Sequence, residues 1–359
     1  MKFMFRVDAS IQMGAGHVMR CLTLADQLKE KGHVCTFICR AHTGHLNKLI
    51  ISKGHGLYSF EFDKTSQFSM DNLNWNKHAH WLGVSLHSDS QQTKIILKSE
   101  LPDWLVVDHY ALDSSWEKEV KPFAQKLMVI DDLADRKHES DLLLDQTFGR
   151  EGRDYLGLVP KKCEVLAGSY HSLLRQEFAA LRPTSLRRRG INQVPCNILI
   201  SMGSMDKDNY TSIILKALQV CSLPNNAAIK VVLDSNAPWV SDVMKIAADM
   251  PWSTEVVIDS KSMAELMSNA DLAIGAAGST SWERCCLGLP TIQMVTADNQ
   301  QFIAQCLSSA GAIKLLENIG QLPLLIRTAP SWMSSVSKSC RLVTDGRGVE
   351  RVVSKLEEL

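Results

Sequence analysis

The sequence predicts an α/β fold organised as two domains with mostly parallel sheets. Short runs rich in β-branched and aromatic residues alternate with helical patterns along the whole 359-residue chain. A proline-bearing, basic stretch without periodicity, RPTSLRRRGINQVP, separates two such alternating halves. We therefore predict an N-terminal domain over 1–181, a linker over 182–195, a C-terminal domain over 196–334, and a C-terminal helix over 335–359 that can pack back on the first domain.

The first half contains the strand candidates FMFRVDA, HVCTFIC, GLYSFEF, WLVVDHY, KLMVIDD and DLLLD. Its clearest helix runs from about Val18 to Lys31, where Gly32 ends it. The second half restarts with NILISMGSMD, IKVVLD, TEVVID, DLAIGAAG and TIQMV, and we predict helices over about 209–221, over 262–270 and near Thr280. Ser262 and Glu265 have the spacing of a capping box, which supports a helix start there.

Composition excludes several functional classes. Hydrophobic residues make up 45% and charged residues 22%, as in soluble globular proteins. The formal net charge is zero, so the basic excess of a nucleic-acid-binding protein is missing. No segment approaches the roughly 18 apolar residues that cross a bilayer, and Arg6 and Asp8 interrupt the place of a signal peptide's apolar region. We expect no nucleic-acid or membrane partner.

Cysteine and histidine usage points to a cytoplasmic protein without a metal. The ten cysteines form no CxxC pair or regular framework, which is typical of reduced thiols. His42 and His45 stand three residues apart but lack an evident third ligand, and His78 and His80 lie in a polar stretch. The glycine loops do not complete GxGxxG, so a nicotinamide or flavin site is not indicated. We expect a monomer with no cofactor.

A histidine stands at the start of the first predicted helix. The loop QMGAGHV places Gly14 and Gly16 between strand and helix, and His17 follows at once. Imidazole suits general-base work near neutral pH, and the glycines allow a substrate to approach the backbone closely. The alternative is a helix-terminal residue whose ring only hydrogen-bonds the loop.

A second glycine-bearing turn lies at 275–283. Gly278 leads into Ser279, Thr280 and Ser281, which are good helix N-caps, and the N–H groups of such a helix start suit a diphosphate. Glu283 falls in the first turn, where its carboxylate can reach a ribose diol. The alternative is a turn needed for packing, with Glu283 favouring only the helix dipole.

The segment VVIDSKSMAELMSNADLAIGAAGSTSWERCCLGLPTIQM resembles the UDP-binding half of glycosyltransferase-B-fold proteins, notably the N-acetylglucosaminyltransferase that forms lipid II. The resemblance implies two Rossmann-like domains that face one another across a cleft. It also implies uracil near the backbone of Ile258, phosphates at Ser279 and Thr280, and ribose at Glu283. The full implied UDP-binding set is Gly203, Ile258, Met263, Gly278, Ser279, Thr280 and Glu283.

Further segments together resemble one subgroup. FRVDAS, GAGHVMRCLTLADQL, VVDHYAL, VIDDLADR, CEVLAGSYHSLLRQEF and SMGSMD are similar to the UDP-2,4-diacetamido-2,4,6-trideoxy-β-L-altropyranose hydrolases of the pseudaminic acid pathway. This resemblance implies a metal-independent hydrolysis of a UDP-sugar to free sugar and UDP. Water attacks the anomeric carbon with inversion, and a histidine of the N-terminal domain, which we take to be His17, is the base.

Two further residues are implied to be catalytic. Asp8 follows the first strand and either orients His17 or contacts the sugar; its alternative role is capping the next loop. Tyr110 can meet sugar hydroxyls or the attacking water, with a core tyrosine as the alternative. Asp108 is a weaker candidate, because side chains alternate along a strand. The sequence leaves open which of Asp8, Asp108, Asp131 and Asp132 faces the cleft.

The sugar-binding set implied by the same resemblance is Gly14, Gly16, Asn299 and Gln300. For the last two, helix capping within TADNQQ is the alternative. Arg175 is a possible cation of the cleft, with pairing to Glu177 as its structural alternative.

Two other functions remain open from the residues. An inverting UDP-sugar glycosyltransferase would need an acceptor site, whereas the loop FDKTSQFSMDNLNWNKHAH is polar and favours water as the acceptor. A UDP-sugar-binding protein without catalysis would need neither His17 nor Tyr110.

Overall fold

The computed structural model describes residues 1–62, 76–189, 194–203 and 205–359. Most of the polar loop that favoured water as the acceptor lies outside these residues, and so do residues 190–193 of the predicted linker. The chain forms two compact units. Unit 1 comprises Met1–Leu173 and Val349–Leu359, and unit 2 comprises Leu174–Gly348.

Unit 1 is built on a parallel sheet in the strand order β3-β2-β1-β4-β5-β6-β7, as far as the described residues go. Its strands are β1 (Lys2–Val7), β2 (Val34–Arg40), β3 (Gly56–Phe60), β4 (Trp104–Asp108), β5 (Lys126–Ile130), β6 (Leu142–Asp145) and β7 (Glu164–Ala167). Its helices are α1 (Gly16–Glu30), α2 (Asn47–Ser52), α3 (Leu86–Glu100), α4 (Ser114–Val120) and most of α13 (Gly348–Glu358).

Alternation along β1 explains the two-sided core of unit 1. Phe3 and Phe5 are fully buried in one apolar cluster with α1 and α13, and Met4 is buried in another cluster with α3 and α4. Successive side chains of a strand point to opposite faces, so β1 is covered by helices on both sides. Arg6 follows Met4 on its face, and its guanidinium pairs with Asp89 of α3 at 2.7 Å.

Unit 2 repeats the architecture. Its parallel sheet has the order β10-β9-β8-β11-β12-β13 among the described residues, formed by β8 (Asn197–Ser201), β9 (Ala228–Leu233), β10 (Ser253–Ile258), β11 (Leu272–Ala276), β12 (Thr291–Met294) and β13 (Lys314–Leu315). Its helices are α5 (Gln176–Arg188), α6 (Tyr210–Leu218), α7 (Val240–Ala248), α8 (Met263–Asn269), α9 (Thr280–Cys286), α10 (Gln301–Ser309), α11 (Leu322–Arg327) and α12 (Ala329–Cys340).

The structure differs from the sequence prediction at the unit boundary. Residues 182–188 were predicted to be linker but form the second half of α5. Two of the basic residues bind to the end of α8 instead of remaining solvated: Arg188 donates to the carbonyl of Ser268 at 2.9 Å, and Arg189 donates to the carbonyl of Met267 at 2.8 Å. The C-terminal segment is also divided, since 335–348 lies in unit 2 and 349–359 in unit 1.

The predicted caps are also corrected. Ser262 and Ser279 occupy N-cap positions of α8 and α9, but neither side chain makes a capping hydrogen bond. Ser279 has helical backbone angles instead of the extended ones that are typical of an N-cap residue. Within the described residues, no helix has both the length and the apolar composition needed to span a membrane.

Candidate functional site

The strand order of unit 1 changes direction between β1 and β4. These strands are neighbours in the sheet, but the chain continues from them toward opposite sides, and ligands of open α/β sheets bind at such a point. Gly14 turns the loop after β1 with a φ of 76°, and Gly16 begins α1. His17 is therefore held at the start of α1, beside the end of β4.

His17 is hydrogen-bonded to Asp108. Its Nδ1 lies 2.6 Å from Oδ1 of Asp108, which ends β4 and is fully buried. Arg20, one turn along α1, donates to both carboxylate oxygens, at 2.6 and 2.7 Å. Burial opposes ionisation of Asp108, but Arg20 and His17 outweigh it and hold the pKa of this carboxyl well below its usual range. An ionised Asp108 accepts the Nδ1 proton, so Nε2 of a neutral His17 presents a lone pair.

Arg20 also joins this pair to Tyr110. Its Nη1 donates to Oδ2 of Asp132 at 2.6 Å, and the Tyr110 hydroxyl donates to the same oxygen at 2.9 Å. The ring centroids of Tyr110 and His17 lie 4.5 Å apart, edge to face. Burial, with the charge of Asp132, raises the pKa of Tyr110 well above its usual value. The phenol is therefore a neutral hydrogen-bond donor at physiological pH.

Sequence reasoning missed the aromatic side chains around His17 and Tyr110. Trp81 stacks on Tyr110 with centroids 5.7 Å apart, and its ring centroid lies 6.3 Å from that of His17. The ring centroid of His78 lies 4.6 Å from that of Trp81 and 5.3 Å from that of Tyr110. Both residues were visible in the stretch NWNKHAHW, where the histidines were considered only as metal ligands.

The structure corrects the interpretation that Asp8 orients His17. Asp8 is 1% exposed, and its Oδ1 accepts from Arg6 at 2.7 Å and from the backbone N–H of Arg40 at 2.6 Å. Its Oδ2 faces His109, 3.3 Å from Nε2. Asp8 thus connects the end of β1 to the ends of β2 and β4, and the carboxylate that is hydrogen-bonded to His17 is that of Asp108.

The paired aspartates after β5 have different environments. Asp132 belongs to the network of Arg20 and Tyr110, whereas Asp131 is fully buried and paired with Arg136 at 2.7 Å. The Tyr155 hydroxyl lies 3.0 Å from Asp131 Oδ2 and 2.9 Å from Asp145 Oδ2. Of the two aspartates, Asp132 is therefore the one that belongs to the network around His17.

Unit 2 also has glycine-bearing loops after two neighbouring strands of its sheet. β8 and β11 are neighbours with Ser201 opposite Gly275, and the following loops contain Gly203, with a φ of 104°, and Gly278. Ser279 is exposed, and Gln300, after β12, has its amide nitrogen 4.0 Å from where a Cβ on Gly278 would stand. The structure thus brings Gly203, Gly278 and Gln300 to one edge of the sheet. Asn299 is exposed beside Gln300.

Glu283 lies in the first turn of α9, as predicted. Burial raises the pKa of its carboxyl even though Arg175 lies 3.5 Å from it. Arg175 also contacts Glu177 at 3.3 Å. Ile258 ends β10 and Met263 begins α8, with β9 between β10 and β8. Ile258 and Met263 therefore lie at the end of a strand that is not a neighbour of β8 or β11, the strands that precede the glycine loops.

Across the part of the chain that is described, no three histidine, cysteine, aspartate or glutamate side chains cluster in a way that could hold a metal ion.

Two helix-covered parallel sheets with matching strand orders give the chain the glycosyltransferase-B type of α/β fold, as predicted. It resembles the crystal structure of MurG from Acinetobacter baumannii with a TM-score of 0.69 and 17% identity, over 100% of this chain and 99% of that one.

Among curated proteins, the chain is 28% identical over 313 residues to the UDP-2,4-diacetamido-2,4,6-trideoxy-beta-L-altropyranose hydrolase of Campylobacter jejuni, covering 87% of this chain and 97% of that protein. It is 24% identical over 367 residues to the spore coat polysaccharide biosynthesis protein SpsG of Bacillus subtilis, covering 98% and 96%. No protein-family model matches the chain. The similarity to the Campylobacter jejuni protein confirms the resemblance to UDP-2,4-diacetamido-2,4,6-trideoxy-β-L-altropyranose hydrolases that the sequence predicted.

Proposed function

We propose that this protein is a hydrolase that cleaves a UDP-linked diacetamido-trideoxy sugar into free sugar and UDP, in the biosynthesis of pseudaminic acid. The observation that supports it best is the His17–Asp108 pair, with Nδ1 held at 2.6 Å, in a chain similar to a hydrolase of that name over 87% of its length. We also propose that it acts in the cytoplasm, as a monomer without a cofactor.

In this mechanism, Nε2 of His17 accepts a proton from water while the water oxygen bonds to the anomeric carbon. The bond from that carbon to the phosphate oxygen breaks, and its electron pair leaves with UDP. Asp108 stabilises the imidazolium that forms, and the configuration at the anomeric carbon is inverted. General-base assistance of this kind contributes about 10²–10⁴-fold in rate.

Unit 2 binds the UDP in this proposal. The backbone near Ile258, together with Met263, meets uracil, the loop of Ser279 and Thr280 meets the phosphates, and Glu283 meets the ribose. One solved neighbour with this fold, a UDP-GlcNAc 2-epimerase from Neisseria meningitidis, is bound to UDP-GlcNAc, which supports a UDP-sugar as the ligand. The backbone of Gly203 is assigned to UDP as well. Gly14, Gly16, Asn299 and Gln300 are assigned to the sugar.

The test is hydrolysis of candidate UDP-sugars in ¹⁸O-labelled water, with both products analysed by mass spectrometry. Label in the free sugar supports attack at the anomeric carbon, and label in UDP contradicts it. His17→Asn should lose turnover while binding UDP, whereas the exposed control His87→Asn should keep full activity. UDP release that requires an added acceptor would indicate a transferase, and tight binding without turnover would indicate a binding protein.

A further inference from the structure

A buried arginine lies behind the glycine loop of unit 2. Arg284 of α9 is 2% exposed, and its Nη2 donates to the carbonyl of Ala276 at 2.7 Å. Its Nη1 donates to the Thr280 hydroxyl at 3.1 Å. Gly275 leaves room for this group, because a Cβ there would stand 2.6 Å from Nη1. The guanidinium therefore fills the space between the end of β11 and the start of α9.

Arg284 forms no ion pair with a carboxylate among the described residues, although the charge of the neighbouring Glu283 acts on it. Its remaining contacts are the neutral oxygens of Ser281 and Gln293, at 3.2 and 3.4 Å, and its Nε has no hydrogen-bond partner. The ion pair of Glu283 is made with Arg175, at 3.5 Å. Burial lowers the pKa of Arg284 to about 10. A buried cation without a directly paired anion is unfavourable, so this arrangement is better suited to a state in which an anion is bound.

Arg189 provides a contrast within the same unit. Burial also lowers its pKa to about 10. However, its Nη2 donates to the carbonyls of Met267 and Ser268, at 2.8 and 3.3 Å, at the end of α8. The carbonyls at a helix C-terminus have a negative partial charge that favours a cation. The fold alone thus accounts for the buried charge of Arg189, but it does not account for that of Arg284.

We infer that Arg284 is a positioning residue for the diphosphate of a bound UDP, supplying positive charge behind the loop 276–281 and orienting the Thr280 hydroxyl. The inference rests on the proposed function, in which unit 2 binds UDP. Because Thr280 Oγ1 accepts from Nη1, its own proton is left to donate to a phosphate oxygen. The same charge stabilises UDP as it leaves with an additional negative charge.

The experiment compares UDP and uridine binding by calorimetry in the wild type, Arg284→Gln, Arg284→Lys and the matched control Arg189→Gln. Arg284→Gln should weaken UDP binding by at least about tenfold, because a charge-assisted interaction is lost, and leave uridine binding unchanged. Arg284→Lys should retain most of the UDP affinity. Arg189→Gln should lower thermal stability without altering UDP affinity.

Wild-type affinity for UDP in Arg284→Gln would overturn the inference, as would equal losses for UDP and uridine. A wild-type protein that binds no UDP would instead overturn the proposed function. If Arg284→Gln does not fold, NMR of the wild type gives the answer. The Nε–H signal of Arg284, identified by its absence in Arg284→Lys, should shift with UDP and not with uridine, and an unmoved signal would overturn the inference.

Discussion

Nδ1 of His17 and Oδ1 of Asp108 lie 2.6 Å apart, although the two residues are 91 positions apart in the chain. The same carboxylate accepts two hydrogen bonds from Arg20, so it is held in place from two directions. The arrangement fixes the tautomer of the imidazole and its orientation. A histidine held in this way can act as a base through Nε2.

Replacing Asp108 with asparagine should therefore slow catalysis severely. A carboxamide offers only one acceptor oxygen, whereas His17 Nδ1 and Arg20 Nε now donate to different oxygens of Asp108. The NH₂ group must therefore face one of these donors, and where it faces His17 it favours the wrong tautomer. We expect kcat to fall by about 10²–10⁴-fold while UDP affinity stays near the wild-type value. The measurement is steady-state hydrolysis with UDP binding by calorimetry.

Asp103 provides the matched control for Asp108, because it precedes β4 at the opposite end of the strand and accepts from the backbone N–H of Lys2. Asp103→Asn should keep full activity. A fully active Asp108→Asn would show that the pair is structural.

The His17–Asp108 pair also marks the limit of sequence-based prediction. Helical spacing and Gly32 predicted α1 to within two residues of its bounds, Gly16–Glu30. The partner of His17 was missed because strand alternation weighed against Asp108 beside Tyr110. However, β4 ends at Asp108, so alternation does not extend to Tyr110, and sheet order brings β4 next to β1. Such a contact depends on topology rather than on local pattern.

Tyr110→Phe tests the phenol separately from the base. Because burial and Asp132 raise the pKa of Tyr110, the hydroxyl stays protonated throughout the physiological range and acts only as a donor. We expect a lower kcat, a loss of stability of about 1 kcal/mol from one hydrogen bond, and a pH–rate profile of unchanged shape. Stopped assays from pH 6 to 9 measure this. An alkaline limb that disappears in the variant would show that Tyr110 ionises during turnover.

Asp145→Asn should change how stability depends on pH. Burial and the neighbouring Asp132 raise the pKa of Asp145 to about 7, although Arg150 Nε lies 3.5 Å away. In an unfolded chain the pKa of aspartate is about 3.9. The folded protein therefore keeps a proton that the unfolded chain releases, so the contribution of Asp145 is fully present below about pH 4 and is lost as pH rises to about 7.

Asparagine does not titrate, so the stability of Asp145→Asn relative to the wild type should increase between pH 5 and pH 7. The slope should be no more than about 1.4 kcal/mol per pH unit and should flatten above pH 7. Urea unfolding of both proteins at matched pH values gives the difference, in which other titrating groups cancel. A difference that stays constant with pH would contradict a protonated Asp145.

Gly275 and Gly278 should respond differently to alanine, although they stand only three residues apart, in β11 and in the loop that follows it. A Cβ on Gly275 would lie 2.6 Å from Arg284 Nη1 and 2.9 Å from the backbone oxygen of Ser201, which cannot move freely. Gly275→Ala should therefore lower the free energy of unfolding by about 1–3 kcal/mol. A Cβ on Gly278 would meet nothing closer than Gln300 Nε2 at 4.0 Å, and its φ is not left-handed. The fold alone therefore gives no reason for glycine at 278.

A ligand gives such a reason, because a diphosphate that approaches the backbone here would be obstructed by a methyl group. We expect Gly278→Ala to melt at the wild-type temperature and to bind UDP about tenfold more weakly. Thermal unfolding and calorimetry on the same preparation separate the two effects. Wild-type UDP affinity in Gly278→Ala would place the phosphates elsewhere, since no atom of the protein itself would oppose the added methyl group.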